Sequence, residues 1–328
     1  MKVLDPAALA RSARWLLTEA GPGDWTLAAV ERLVAVAPIL ATGADGDNRG
    51  LQVVPPGDGE ARFSCGRRCR ELVLPVVVLP AQERTAPTLA ASFPATVEVL
   101  EAALGPATSL GRHGPTGPWF DGSPAWGAPF LGWRRPEDRT LQLRATDAGT
   151  VLVLQPTGPS EPWRLHAHEW SDPATVGGYV RERNVPQNDD LQTPAAPRAR
   201  TWKQWQAMLA RWLARLPAET MATGSPLHFL MVTGACARLT LASTTDGRLH
   251  FMAGLRYLQD PNALGWQRRE TRLDPWVLQA GRPGTVDGSA VAAALVQTLR
   301  AEKVRAAGRM IRTRDDDGHL VLSGLGLG

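Results

Sequence analysis

An α+β fold is predicted for this chain, with two modules that each pack helices on an antiparallel sheet. Three observations predict it. Stretches with apolar residues at helical spacing are interleaved with short runs rich in Val, Leu and Thr. Successive strand runs are joined by tight turns, Thr-Asp-Ala-Gly at 146–149 and Thr-Thr-Asp-Gly at 244–247, which make hairpins rather than crossovers. A polar, Pro-rich stretch at 185–200 separates the halves and has a linker's composition. The expected division is an N-terminal module at 1–184, a linker at 185–200 and a C-terminal module at 201–328.

The first helix is set by punctuation. Asp5 can cap it, Pro6 suits its first position and Gly21-Pro22 would stop it. A second helix is expected after Asp24, stopping at Pro38. Residues 51–54 form a short apolar piece among turn residues, read as a strand, and 72–79 is a Val/Leu run whose Pro75 implies an edge or a bulge. Ser92 is placed to cap a helix bearing Phe93, Val97, Leu100 and Leu104 on one face, with Gly105-Pro106 as its stop. A loop at 105–129 follows, then strands at 140–145 and 150–155.

The second half opens on an amphipathic helix at 201–216. Trp202, Trp205, Leu209, Trp212, Leu213 and Leu216 share one face, Lys203, Gln204, Arg211 and Arg215 lie opposite, and Pro217 is expected to end it. Strands are expected at 227–232, 235–243, 248–253 and 272–279. Asp287 is then placed to cap a helix with the stripe Val291, Ala294, Leu295 and Leu299, and a hairpin turning at 315–318 closes the chain. The tripeptide Leu-Gly-Trp occurs at 131–133 and 264–266, a match too short to indicate duplication.

Composition narrows the function classes. The chain has 328 residues and 44% hydrophobic residues, enough for a large core. No apolar run reaches the roughly 20 residues that span a bilayer. The first 20 residues carry Asp5, Arg11, Arg14 and Glu19 and lack a secretory signal's apolar stretch, so a cytoplasmic location without membrane contact is expected. Three cysteines, Cys65, Cys69 and Cys236, make a poor disulfide framework. The net charge is +4, with three Lys among 36 basic residues. Acidic residues lie beside most Arg clusters, so nucleic acid is not the expected partner. Twelve Trp against two Tyr is an unusual ratio, and most of the Trp are expected in the core.

The common catalytic signatures are missing. There is no phosphate-binding Gly-x-x-x-x-Gly-Lys loop, no Gly-x-Ser-x-Gly elbow and no His-Glu-x-x-His. His166 and His168 would face one side of a strand with Glu169 and Asp172 near, but a zinc site needs about four convergent ligands. Cys65 stands beside Arg67 and Arg68, which would favour its thiolate, and no His is close in sequence. No catalytic residue, cofactor or metal is therefore expected. An enzyme built around His166, His168 or Cys65 is the alternative, and an immunity-type protein that inhibits a toxin is another.

The feature that points to binding is the 105–129 loop. It is long, and it sets Trp119, Phe120 and Trp126 among Gly and Pro. Trp266 followed by Arg268 and Arg269 is a second such group. Trp and Arg are the commonest interface hot spots, so these six residues are the expected partner-binding surface. The competing expectation for the loop is that its aromatic side chains plug the core.

The C-terminal half resembles the type III secretion chaperone-like superfamily, in particular the Tir-chaperone and YbjN-like domains of actinobacteria. The residues that carry this are the Trp-rich helix at 201–216, His-Phe-Leu-Met-Val from His228 and Ala-Arg-Leu-Thr-Leu-Ala-Ser-Thr-Thr-Asp-Gly-Arg-Leu-His-Phe-Met-Ala-Gly from Ala237. Leu-Gly-Trp-Gln-Arg-Arg from Leu264 and the closing helix up to Arg300 complete the set. The N-terminal half is similar to an uncharacterised actinobacterial family through the helix from Phe93, the later Gly132-Trp133 and the hairpin from Thr140. The resemblance implies polypeptide binding through a helix-and-sheet surface, often as a homodimer, without catalysis. Where such domains continue into an acidic, Asn-containing segment, this chain has Gly-Leu-Arg-Tyr-Leu-Gln-Asp-Pro-Asn-Ala-Leu at 254–264. The function expected is that of a chaperone or adaptor for a co-encoded partner protein.

Overall fold

The Asp5 carboxylate accepts the backbone N–H of Ala8 at 2.9 Å, and with Pro6 at the first turn it starts α1 (Pro6–Thr18) where the sequence predicts. The computed structural model describes residues 2–18, 52–54, 71–112, 129–135, 139–157, 179–182, 198–199, 201–232, 238–269, 276–281, 286–304, 311–315, 318–322 and 326–327. The expected helix at 24–38 lies outside them.

In the first half, β1 (Lys2–Val3) precedes α1, and β2 (Gln52–Val54) and β3 (Glu71–Val78) follow it. The β3 ladder shifts register between Pro75 and Val77, the bulge that Pro75 implies. Next come α2 (Ala86–Ala91) and α3 (Phe93–Leu104). Ser92 precedes α3 as expected, but its hydroxyl donates back to the Leu89 carbonyl instead of capping. Four strands follow: β4 (Ser109–Arg112), β5 (Pro129–Arg135), β6 (Arg139–Thr146) and β7 (Gly149–Pro156). The turn between β6 and β7 requires Gly149, because φ is +151° and a Cβ there would lie 2.0 Å from the Val77 carbonyl oxygen. After β8 (Tyr179–Glu182), β9 (Arg198–Ala199) is the part of the expected linker that is described, and Ala199 is buried.

The second half opens on α4 (Trp202–Thr223). The Thr201 hydroxyl caps it by accepting the Gln204 N–H at 3.2 Å, and Gly224 ends it in the left-handed conformation. Pro217 does not end this helix, contrary to expectation. The turn beyond it, Ala218, Glu219, Thr220 and Ala222, is buried. The Thr220 and Thr223 hydroxyls donate to the Leu216 and Glu219 carbonyls at 2.8 and 3.1 Å. Burial of that turn outweighs the one backbone bond a proline forfeits.

β10 (Leu227–Val232), β11 (Arg238–Ser243) and β12 (Leu249–Ala253) form a meander. In its second turn the Thr244 hydroxyl donates to Asp246, and Arg248 pairs with the same carboxylate at 3.0 Å; these hold the Asp246 carboxyl below its ordinary range. β13 (Gln267–Arg268) and β14 (Trp276–Ala280) follow, then α5 (Gly288–Ala301). Asp287 caps α5 as predicted, accepting the N–H groups of Ser289 and Ala290 at 3.0 Å each. The chain closes on β15 (Ile311–Asp315), β16 (Gly318–Leu322) and β17 (Gly326–Leu327).

Both halves place helices on antiparallel sheet, so the α+β prediction holds, and the two sheets are continuous. The order is β1-β3-β7-β6-β5-β4-β8-β16-β15-β10-β11-β12-β14-β13, with β2 beside β3. The closing hairpin joins the halves: β16 pairs with β8 from His319↔Glu182 to Leu322↔Tyr179, and β15 pairs with β10 at Leu230↔Arg312 and Met231↔Ile311. β17 pairs in parallel with β9. The helices carry the core across the same join. α4 packs on α2, α3 and β5 of the first half and on α5 of the second. Its buried Trp205, Met208, Leu209, Trp212, Leu213 and Leu216 are the face that helical spacing predicts, with Met208 added and Trp202 only half-buried.

Candidate protein-binding surface

The chain reverses after β12, and the next segment is held by a side chain rather than by a ladder. Glu302 follows α5 and is 3% exposed. Its carboxylate accepts three consecutive backbone N–H groups, those of Arg256 (2.9 and 3.0 Å), Tyr257 (2.9 Å) and Leu258 (3.0 Å). Successive N–H groups that converge in this way form an anion-binding nest, and here the anion is the protein's own. The segment therefore sits at the C-terminal end of α5, with Arg256 and Tyr257 exposed, Tyr257 to 47%.

The end of α5 has an unusual backbone. The Lys303 N–H donates to the Arg300 carbonyl and the Val304 N–H to the Leu299 carbonyl, both at 3.0 Å, and Val304 and Leu299 are both buried. This is a Schellman ending, in which the left-handed position normally belongs to glycine. Here Lys303 occupies it with φ +57°, the one non-glycine residue at positive φ among the described residues. Its Nζ lies 4.4 Å from the centroid of the Tyr257 ring, a cation–π contact on the open surface.

Leu-Gly-Trp-Gln-Arg-Arg supplies the rest. Residues 262–264 make a single 3-10 turn, Gly265 follows at φ +84°, and the chain then points Trp266 inward. Trp266 is 0% exposed and donates its indole N–H to Thr298 Oγ1 at 2.9 Å. The expectation that Trp266 lies on the binding surface is thus corrected. A left-handed glycine turn leads it under α5, where Thr298 satisfies its one polar atom. Past it the chain emerges, and Gln267, Arg268 and Arg269 are all exposed.

Register brings the two segments together. Trp276 pairs with Ala253 on one side and with Arg268 on the other, so the ends of β12 and β13 flank one residue of β14. At ~4.8 Å per strand, Ala253 and Arg268 lie roughly 10 Å apart, and Gly254 and Arg269 leave the sheet at the same end. Thr298 in the last turn of α5 and Glu302, the residue just past its end, anchor the two segments to the same helix terminus. At this end of the sheet Arg256 and Tyr257 on one segment, Lys303 over the Tyr257 ring, and Arg268 and Arg269 on the other segment are exposed. Leu255, Leu258, Leu264 and Trp276 pack on the core beneath and are part exposed. Among the described residues none of these four cations has a carboxylate partner, whereas Arg248 pairs with Asp246.

Of the six residues that the sequence nominates, the structure keeps Arg268 and Arg269 at the surface and moves Trp266 into the core. Trp119, Phe120 and Trp126 lie outside the described residues, as do His166, His168 and Cys65. Within the expected 105–129 loop, 109–112 form β4 between β5 and β8 and Pro129 begins β5, while 113–128 lie outside the described residues. Tyr257, Glu302 and Lys303 were not nominated. The signal for the first was the run at 254–264, which has Arg256 and Tyr257 where the resemblance expects acidic residues. No helix among the described residues is long and apolar enough to cross a membrane. Comparison of the chain with protein-family models, with curated proteins and with solved structures found no match.

Proposed function

We propose that this protein is a non-catalytic chaperone or adaptor that binds a partner polypeptide. The observation that supports this reading is the group of exposed cations around Tyr257, seated on part-exposed Leu and Trp side chains and unpaired among the described residues. An interface hot spot combines a rigid aromatic anchor, Arg donors and an apolar floor, and this surface has all three. It lies on elements of the half that resembles secretion chaperones, a family that holds polypeptides without chemistry.

Affinity capture from lysate of the source organism tests the reading, with parent protein and the Arg268→Glu/Arg269→Glu double variant run side by side. Both substitutions are on exposed side chains, so folding should be unchanged within about 0.5 kcal/mol. The expected result is a polypeptide enriched by the parent and lost from the variant. Equal recovery of the same polypeptides by both proteins would overturn the assignment of the surface.

A further inference from the structure

The left-handed Lys303 is the feature that a purely structural account leaves over. Glycine at that position would close the Schellman motif without backbone strain. The chain instead holds a lysine there and sets its ammonium over an exposed Tyr ring, where it adds nothing to the core. A strained residue kept at a surface is a pointer to function.

We propose that the Tyr257–Lys303 pair, with Arg268 and Arg269, receives a short acidic segment of the partner in which carboxylates alternate with bulky apolar side chains, and that Lys303 determines this specificity. The proposal rests on the binding role above and names the partner's chemistry. Four exposed cations against the one exposed carboxylate of the 254–269 stretch, Asp260, set the charge of the ligand. The part-exposed Leu255, Leu258, Leu264 and Trp276 of the same elements call for apolar side chains as well, which a phosphodiester backbone does not offer. Single-stranded nucleic acid binds by stacking bases on open aromatic faces, and Lys303 lies over one face of Tyr257. The nest at 256–258 is already filled by Glu302, so an incoming carboxylate is left to the side-chain cations.

The test is fluorescence anisotropy on the full chain with a labelled peptide that alternates Glu with Leu and Phe. Its controls are the same peptide with Gln for Glu, the same peptide with Ser for the apolar residues, and oligo(dT). The acidic apolar peptide should bind best, and charge reversal of Arg268 and Arg269 should abolish binding. Lys303→Gly should raise Kd roughly five- to tenfold, the scale of a partly desolvated cation–π and ion-pair contact. Its melting temperature should be equal or higher, because glycine relieves the backbone, and Lys303→Arg should restore binding. Parent-like binding by Lys303→Gly, equal binding of the Gln peptide, or tighter binding of oligo(dT) would each overturn the proposal. If the peptide fails while lysate capture still depends on Arg268 and Arg269, the binding role stands and the acidic-segment proposal falls. If capture fails too, both fall.

Discussion

Trp266 donates its indole N–H to Thr298 Oγ1 at 2.9 Å, and this bond fixes the 262–269 segment beneath the last turns of α5. The same side chain that looked like a surface anchor is the root of the surface. Trp266 points inward, and the next three residues, Gln267, Arg268 and Arg269, are exposed. The site is thus assembled on two buried pins at the end of α5, Thr298 for one segment and Glu302 for the other.

The first pin makes a stability prediction. Trp266→Ala empties a fully buried volume and should cost roughly 3–5 kcal/mol in denaturant unfolding. Thr298→Val keeps the volume and leaves a buried N–H unsatisfied, which should cost about 1–3 kcal/mol. A Trp266→Ala protein as stable as the parent would place that residue at the surface after all.

The second pin predicts a local effect. Glu302→Ala removes the acceptor for three N–H groups, so hydrogen exchange at Arg256, Tyr257 and Leu258 should accelerate roughly ten- to hundredfold. The β11–β12 hairpin amides should be unaffected. Uniform acceleration across the chain would mean global destabilisation rather than release of the segment.

Gly288 lies at the crossing of α4 and α5, where a Cβ would come within 2.2 Å of the Ala210 carbonyl oxygen and 3.1 Å of the Ala214 Cβ. Gly288→Ala must push the helices apart and should cost about 1–3 kcal/mol, despite alanine's better helix propensity. A gain in melting temperature would show that the helix contact is looser than the structure has it.

Much of this was legible in the sequence, and the failures have local causes. Helix starts at Asp5, Thr201 and Asp287 were readable because a short polar side chain followed by apolar periodicity is a chemical signal carried within a few residues. The hairpin at 244–247 was readable for the same reason. Pro217 was misread because its neighbours' burial, a tertiary property, decides whether a proline ends a helix. Trp266 was misread because Trp and Arg in sequence suggest an interface, while the left-handed Gly265 that turns one inward and leaves the others out acts through geometry. Lys303 gave no signal at all, since nothing in Glu-Lys-Val announces a Schellman ending. The insertion of β15 and β16 between the halves depends on pairings 80 to 143 residues apart in sequence, which no local pattern encodes.

That insertion predicts how the halves behave when cut. A protease site introduced between Asn188 and Asp189 would sever the backbone but not the β8–β16 pairing or the contacts of α4 with α2, α3 and β5. The nicked protein should elute as one species in native gel filtration and separate only in denaturant. Spontaneous separation under native conditions would show that the continuous sheet contributes little to holding the halves together.

The central claim is that a partner polypeptide touches the surface around Tyr257, and site-specific photo-crosslinking reads that contact directly. A photoreactive amino acid at Gln267, introduced in cells of the source organism, should give a protein adduct. The same probe at Lys203, on the exposed face of α4, should give none, and Arg268→Glu/Arg269→Glu should abolish the Gln267 adduct. No adduct at Gln267, an equal adduct at Lys203, or an adduct that is nucleic acid rather than protein would contradict the account.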